Sequence, residues 1–362
     1  MTGSWAVILP SRDEAATIAG VAVAADLAIH DQQAMLINVD HSVDEATKRA
    51  FLSAPLVARR HYVRTSRLGK GLQVEEGLSL ARELGFRRVL MLDTDVRNPS
   101  VLINGALVRA VEAGHELAVP QYRRMWYEGN LTNHVARPLI AATLGVDLAQ
   151  PLAGDFAFSA TILDDVLARR ARLAGTRLAS CVDGYGIDAF IVLAAILNGH
   201  SVCSVRIPEL KQHAPSFPHF PRIYHDVVPV LLDGCALGFD RHPAGFAGGF
   251  QLEPGRLPPD TFREMQNGLT AMSSGSGVCP DPSRWTTDLL TAWRHVCRGS
   301  DPLIAACELW PRYVDRVKQY LAEGQARGVT SAAEFLEKAA AELIVAATAA
   351  LELEHSDGYF AF

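Results

Sequence analysis

Short apolar runs alternate with segments of helical period through the first two thirds of the chain, a pattern that predicts a mostly parallel sheet with crossover helices. Ala6 to Pro10 predicts a first strand, followed by an amphipathic helix from near Glu14 to about Ala28. Met35 to Asp40 predicts a second strand and Asp44 to Leu52 a second helix. His61 to Arg64 predicts a third strand, and Leu72, Glu75, Leu78 and Leu80 give a partly apolar face to a helix from about Gly71 to Leu84. Val89 to Leu92 is a buried-type strand that runs directly into Asp93-Thr94-Asp95. Later strands are expected at Leu117 to Tyr122, Asp155 to Ser159 and Val202 to Ile207, with a helix over Ile187 to Leu197.

Near Phe217 the texture changes. Pro215, Pro218 and Pro221, then the stretch from Pro243 to Pro259, predict loops, because proline lacks the N–H that regular ladders need. Beyond Asp260 the pattern is helical, over Thr261 to Gly268, Ser283 to Arg298, Asp301 to Glu323 and Ser331 to Glu354. Ser273 to Gly277 is a Gly-Ser break, and Ser331 with Glu334 forms a capping-box pattern. The expected organisation is an α/β domain over 1–215, a Pro/Gly-rich loop region over 216–259 and a helical region over 260–362.

Composition narrows the function classes. With 34 Lys+Arg against 40 Asp+Glu, a net charge of -6 and no basic tail, the chain lacks the clustered cations that nucleic-acid phosphates require. Its 6 cysteines are widely spaced with no C-x-x-C, which argues against structural zinc and fits reduced thiols in a cytosol. No apolar stretch approaches the roughly 20 residues of a membrane span. The apolar positions Leu336, Leu343 and Ile344 need cover, either within the chain or from a second copy in a homodimer.

The candidate chemistry sits at predicted strand ends, where α/β proteins bind ligands. Asp93-Thr94-Asp95 presents two carboxylates, the hard oxygen ligands that Mg²⁺ or Mn²⁺ prefers, or else a pair of turn aspartates before Asn98-Pro99. Gly69-Lys70-Gly71 precedes a helix, so Lys70 and the helix N-terminus both favour a phosphate, although a plain helix-entry loop reads the same way. Asp188 opens a helix after Gly186, either facing a cleft or capping the helix. Asp155 either binds sugar hydroxyls or satisfies backbone groups at a strand start, and Arg137 has a plain reading as an ion-pair residue.

The order of these features resembles the GT-A glycosyltransferases, nucleotide-sugar enzymes with a Rossmann-like sheet. The strings Asn130 to Leu139, Gln150 to Phe156 and Tyr185 to Asp188, with His213 after them, are similar to the glucosyl-3-phosphoglycerate synthases and, more distantly, the mannosylglycerate synthases. The likeness covers roughly Ala6 to His213. It implies that Pro10, Glu14 and Asp40 contact the nucleoside, and that Asp93, Thr94 and Lys70 serve the diphosphate and sugar. Asp95 and His213 would hold the Mg²⁺ or Mn²⁺ ion, Asp188 and Asp155 would lie by the reacting sugar, and Gly129, Asn130, Thr132 and Arg137 would hold the acceptor. Two departures bear on the acceptor: Asn130 stands where the resemblance implies a basic residue, and Lys211-Gln212-His213-Ala214-Pro215 lacks the Arg-Asn that follows the histidine. A bidentate phosphate partner is thereby missing, unless Arg123, Arg124 or Arg137 supplies it.

The resemblance therefore implies a retaining hexosyltransferase that uses UDP-glucose or GDP-mannose and a small hydroxy acid such as glycerate or 3-phosphoglycerate. Rivals are an inverting transferase with Asp155 or Asp188 as general base, and a non-catalytic sugar-nucleotide sensor. A nucleotidyltransferase is disfavoured because Pro10 to Glu14 has no glycine.

Overall fold

The computed structural model describes residues 4–213, 217–238, 249–273 and 284–356. The strands are β1 (Trp5–Ser11), β2 (Met35–Asp40), β3 (Arg59–Arg64), β4 (Arg88–Met91), β5 (Leu117–Met125), β6 (Phe156–Ser159), β7 (Val202–Leu210) and β8 (Leu252–Glu253). The helices are α1 (Ile18–Ile29), α2 (Ala46–Ser53), α3 (Lys70–Glu83), α4 (Val101–Glu112), α5 (Arg137–Leu144), α6 (Ala160–Arg172), α7 (Arg177–Asp183), α8 (Ile187–Leu197), α9 (Phe220–Leu237), α10 (Pro259–Ser273), α11 (Trp285–Cys297), α12 (Pro302–Arg327) and α13 (Val329–Ser356). The chain divides into two compact units, Met1–Tyr122 with Gln150–Val227, and Arg123–Ala149 with Val228–Phe362.

The first unit is the α/β part. Its strand order is β3-β2-β1-β4-β6-β5-β7, parallel from β3 through β4, with β6 antiparallel to both neighbours. Strands β1 and β2 are buried along their whole length, as strands covered on both faces must be. Trp5, Val7 and Leu9 point to one side, into a cluster with Ile18 and Val21 of α1, Phe51 of α2 and Leu107 of α4. Ile8 points to the other side and meets Gly77 of α3. The strand order reverses between β1 and β4, so the connections leaving their carboxyl ends diverge and open the crevice where such sheets bind ligands.

The second unit is mainly helical. Trp285 and Trp293 of α11, Tyr313 and Tyr320 of α12, and Leu336 and Leu343 of α13 are buried in it. Leu336 and Leu343 are thus covered within the unit, which removes them as a reason for a second copy. Residues 132–136 form a π-helical turn before α5. Pro138 has no N–H to offer, and the indole N–H of Trp285 donates instead to the His134 carbonyl at 3.2 Å.

Several expectations are corrected. The first helix begins at Ile18, after a turn over 14–17. The expected loop region is in part the 18-residue helix α9, with Pro229 inside it. The carbonyl that Pro229 leaves without a donor four residues back, on His225, accepts instead from the Cys181 thiol at 3.5 Å. Ser331 lies inside α13 and donates to Glu323 at 2.5 Å, so no capping box forms with Glu334. Residues 123–149, expected with the α/β part, belong to the helical unit. Pro215, Pro243, Cys279 and the break from 274 onward lie outside the described residues. Among the described residues, Cys181, Cys203, Cys235, Cys297 and Cys307 form no disulfide. Among the described residues no single helix is long and apolar enough to cross a membrane.

At the edge of the first unit away from the crevice, His200 lies between two carboxylates, Glu116 at 2.8 Å from Nδ1 and Asp165 at 2.6 Å from Nε2. Carboxylates only accept, so both contacts are hydrogen bonds together when both ring nitrogens donate, as they do in the imidazolium. Burial works against its charge, but the hydrogen bonds and charges of Asp165 and Glu116 outweigh burial and raise its pKa. The stabilisation is complete below the unfolded-state pKa and is lost as pH rises through the raised folded value. Thermal melts from pH 6 to 9 should show wild type losing on the order of 1 kcal/mol relative to His200→Gln. Parallel pH profiles for the two proteins would remove the imidazolium from the account.

Candidate active site

The crevice is built from the ends of four strands. Thr94, following β4, is buried and donates through its hydroxyl to the Pro10 carbonyl of β1 at 2.7 Å. That bond fixes the acidic triplet against the end of β1. Pro10 is itself a buried strand residue. Asp40 closes β2, and its carboxylate is wholly enclosed, taking Ser11 Oγ at 2.9 Å, the Ser42 amide at 3.1 Å, Ser42 Oγ at 2.5 Å and Tyr62 Oη at 3.0 Å. Direct contact between Asp40 and a nucleoside is therefore not what the geometry offers. The residue shapes the rim through Ser11, Ser42 and Tyr62. Glu14 is more open, accepting from Thr17 Oγ1 at 2.9 Å. Burial, and then the charges of Asp95, Asp13 and Asp93, raise its pKa.

Asp93 lies between two ammonium groups. Its Oδ1 takes Lys70 Nζ at 2.7 Å and its Oδ2 takes Lys211 Nζ at 2.8 Å. Lys70 reaches Asp188 Oδ2 at 2.9 Å with a second donor. Lys211 also reaches Asp155 Oδ2 at 2.8 Å and the Ala153 carbonyl at 3.2 Å. Burial alone would raise Asp93, but Lys211 and Lys70 outweigh it and hold the carboxyl well below the usual range. Burial likewise works against both ammonium charges, and the paired carboxylates override it, keeping Lys70 and Lys211 protonated.

Lys70 owes its place to the glycines beside it. Gly69 has φ +150°, and a Cβ there would lie 2.2 Å from the Asp183 carbonyl oxygen. At Gly71 a Cβ would lie 1.7 Å from the Val182 carbonyl oxygen, and the Gly71 amide donates to the Gly184 carbonyl at 3.1 Å. The first turn of α3 therefore packs backbone against backbone on the end of α7, just ahead of α8, which carries Asp188. Only glycine permits that approach.

Asp155 has no oxygen to spare. Its Oδ1 accepts the Asp93 amide at 2.8 Å, and its Oδ2 takes Lys211 and a short hydrogen bond from Tyr122 Oη. Its role is the internal one. Asp188 differs. It does not cap α8, whose N-cap Gly186 has no side-chain bond, and its Oδ1 is buried with no partner. Burial, and secondarily Asp93, raise its pKa against the pull of Lys70. Such an orphaned acceptor is uncommon in a native interior.

Asp95 makes no hydrogen bond or ion pair within the described residues, and it is half-buried. Burial and the neighbouring Asp93 raise its pKa, while Lys211, His213 and Lys70 pull it down. His213 is thus brought within electrostatic reach of Asp95. Among the described residues no group of three or more His, Cys, Asp and Glu side chains could hold a metal unaided. One hard carboxylate and one imidazole suit a divalent cation whose remaining ligands come from a bound diphosphate.

The proposed acceptor residues fall in the second unit. Gly129 has φ +66°, and the Arg124 guanidinium lies 3.1 Å from where its Cβ would be. Asn130 donates to the Tyr127 carbonyl at 3.2 Å, and its Oδ1 is buried without a partner. Thr132 is buried at the π-helical turn. Arg137 is bound in bidentate fashion by Asp147, at 2.7 and 3.0 Å, with Phe250 over its guanidinium. Arg123 is similarly held by Glu253 at 2.8 and 2.6 Å. The Arg137 guanidinium is buried in its pair, so Arg137 is an ion-pair residue, whereas Arg123 remains exposed beside Glu253.

Sequence reasoning missed Lys211, Tyr122 and Asn98. The signal for Lys211 was its place two residues before His213, but the strand was expected to stop at Ile207 and in fact runs to Leu210.

No protein-family model matches the chain, and no curated protein matches it in sequence. Solved structures do. Glucosyl-3-phosphoglycerate synthase from Mycobacterium tuberculosis, in complex with Mn²⁺, UDP and phosphoglyceric acid, aligns at 22% identity over 72% of this chain and 84% of that one, with a TM-score of 0.51. The same synthase with Mn²⁺, UDP and glucosyl-3-phosphoglycerate aligns at 21% identity over 71% and 85%, with a TM-score of 0.52. With Mg²⁺ and UDP the values are 23%, 72%, 85% and 0.50. The fold of this chain is that of the GT-A glycosyltransferases.

Proposed function

We propose that this protein is a metal-dependent glycosyltransferase that moves a hexose from a nucleoside diphosphate sugar to a small hydroxy acid. The observation that carries this reading is the unpaired Asp95 carboxylate, placed at the reversal of strand order and within electrostatic reach of His213. The similar synthase has been solved with Mn²⁺ or Mg²⁺ together with UDP, which makes UDP-glucose the first donor to test and GDP-mannose the second.

Asp95 and His213 would hold a Mg²⁺ or Mn²⁺ ion, which supplies positive charge to the diphosphate as it leaves. Lys70 uses two of its three N–H donors on Asp93 and Asp188, leaving one for a phosphate or sugar oxygen. Asp188 would accept a hydroxyl of the donor sugar on the exposed part of its side chain. Pro10 and Glu14 border the nucleoside, with Asp40 acting at one remove. Gly129, Asn130 and Thr132 hold the acceptor, and Arg137 keeps their segment in place through Asp147.

With Asp155 occupied on both oxygens and Asp188 Oδ2 held by Lys70, neither carboxylate is offered as a covalent nucleophile. This favours a front-face path with retention, in which the departing phosphate takes the acceptor proton. The raised pKa of Asp188 also suits a general base, which would give inversion instead. The wide spacing of the cysteines along the sequence agrees with a reducing compartment such as the cytosol.

A mass-spectrometric screen of UDP- and GDP-hexoses against glycerate and 3-phosphoglycerate, with Mn²⁺ present, tests the assignment. A glycosylated acid whose NMR spectrum keeps the donor's anomeric configuration is expected. An inverted product would transfer the chemistry to Asp188 as base, and binding without turnover would leave a sensor.

A further inference from the structure

The end of β7 and the residues after it are fastened to the acidic-triplet loop at four places. Asn98 Nδ2 donates to the Leu210 carbonyl at 2.7 Å, and the Gln212 amide donates to Asn98 Oδ1 at 2.8 Å. The Arg97 amide donates to the Gln212 carbonyl at 2.8 Å. Lys211 adds its bonds to Asp93, Asp155 and the Ala153 carbonyl. An ammonium has three N–H donors, and Lys211 has spent all of them inside the protein. Unlike Lys70, it has none left for a substrate.

The spacing along the chain gives this clamp its meaning. Asp95 is two residues beyond Asp93, and His213 is two residues beyond Lys211. Asp93 and Lys211 are ion-paired to each other, and Asn98 binds the backbone on either side of Lys211. The two proposed ligands thus stand beside one fixed joint, although they come from segments far apart in sequence. Ordering a loose chain end costs about 1–2 kcal/mol per residue. If the end of β7 were loose, that cost would be drawn from cation affinity at the moment of binding.

We propose that Lys211 and Asn98 are positioning residues, which hold Asp95 and His213 at one separation so that a cation–diphosphate complex meets a preformed pair. The inference rests on the assignment of Asp95 and His213 as ligands made under the proposed function. Neither Lys211 nor Asn98 would touch the nucleotide.

The test measures UDP affinity by calorimetry, with and without Mn²⁺, for wild type, Lys211→Met and Asn98→Ala. The ratio of the two affinities is the coupling between cation and nucleotide. Both variants are expected to lower that ratio by about tenfold, the size seen when supporting residues behind metal ligands are removed, with metal-free UDP affinity unchanged in Asn98→Ala. Asn98→Ala alters no charge and serves alone if Lys211→Met does not fold. A wild type without any Mn²⁺-dependent gain would overturn the ligand assignment itself. A wild-type gain fully kept by Asn98→Ala would overturn the clamp and leave the assignment standing. Loss in Lys211→Met alone would do the same, since the lysine would then act through its charge.

Discussion

Asp95→Ala is expected to remove Mn²⁺-dependent UDP binding and to lower turnover by roughly 10³-fold, with the fold intact. The fold should survive because no hydrogen bond or ion pair within the described residues reaches this carboxylate. Its removal orphans no donor and relieves repulsion from Asp93 and Glu14, so the melting temperature should hold or rise slightly. The neighbouring Asp93→Ala makes the opposite prediction. It strips two buried ammonium groups of a shared partner, and breaking a buried pair from one side costs about 3–5 kcal/mol. Calorimetry with UDP and Mn²⁺, set beside thermal melts of both variants, separates the roles. Undiminished Mn²⁺ coupling in Asp95→Ala would show that the cation site lies elsewhere.

The contrast between these two aspartates also shows where sequence reading reached its limit. Asp93 and Asp95 look alike in the string Leu92-Asp93-Thr94-Asp95. They are separated only by Lys70 and Lys211, which arrive from 23 and 118 residues away. Local periodicity carries no information about such partners. By the same reasoning Met35–Asp40 and Ile187–Leu197 were legible to the residue, because a run of buried apolar side chains and a helix opened by Gly186 are local facts. The direction of β6 was not legible, since alternation along a strand is the same whichever way its neighbour runs. Nor was α9 legible, because prolines argue for loops, and the carbonyl that its internal Pro229 strands is met by a thiol supplied from α7. Of the candidate site, the sequence located the strand ends and the glycine loop. It could not say that Asp40 and Asp155 are consumed internally, or that Arg137 belongs to Asp147.

Gly71→Ala should be the most damaging single-methyl change in the first unit. Its Cβ would stand 1.7 Å from the Val182 carbonyl oxygen and 2.8 Å from its carbon. That neighbour is backbone at the end of α7, and it cannot swing aside as a side-chain tip would. Either α3 or the segment 182–184 must move, which breaks the hydrogen bond from Gly71 to Gly184 and draws Lys70 away from Asp188. A stability loss of about 3 kcal/mol is expected, the upper end of overpacking costs, together with a drop in turnover larger than the loss of folded protein explains. Gly77→Ala, in the same helix, is the control. There the obstacle is a side-chain methyl of Ile8 at 2.7 Å, and alanine's helical preference returns up to about 1 kcal/mol. Denaturant melts should therefore separate the two alanines by about 2 kcal/mol or more, although each adds one methyl group to α3. Equal melts would mean that the seam between α3 and the α7–α8 turn has slack, and the placement of Lys70 against Asp188 would then need a different cause.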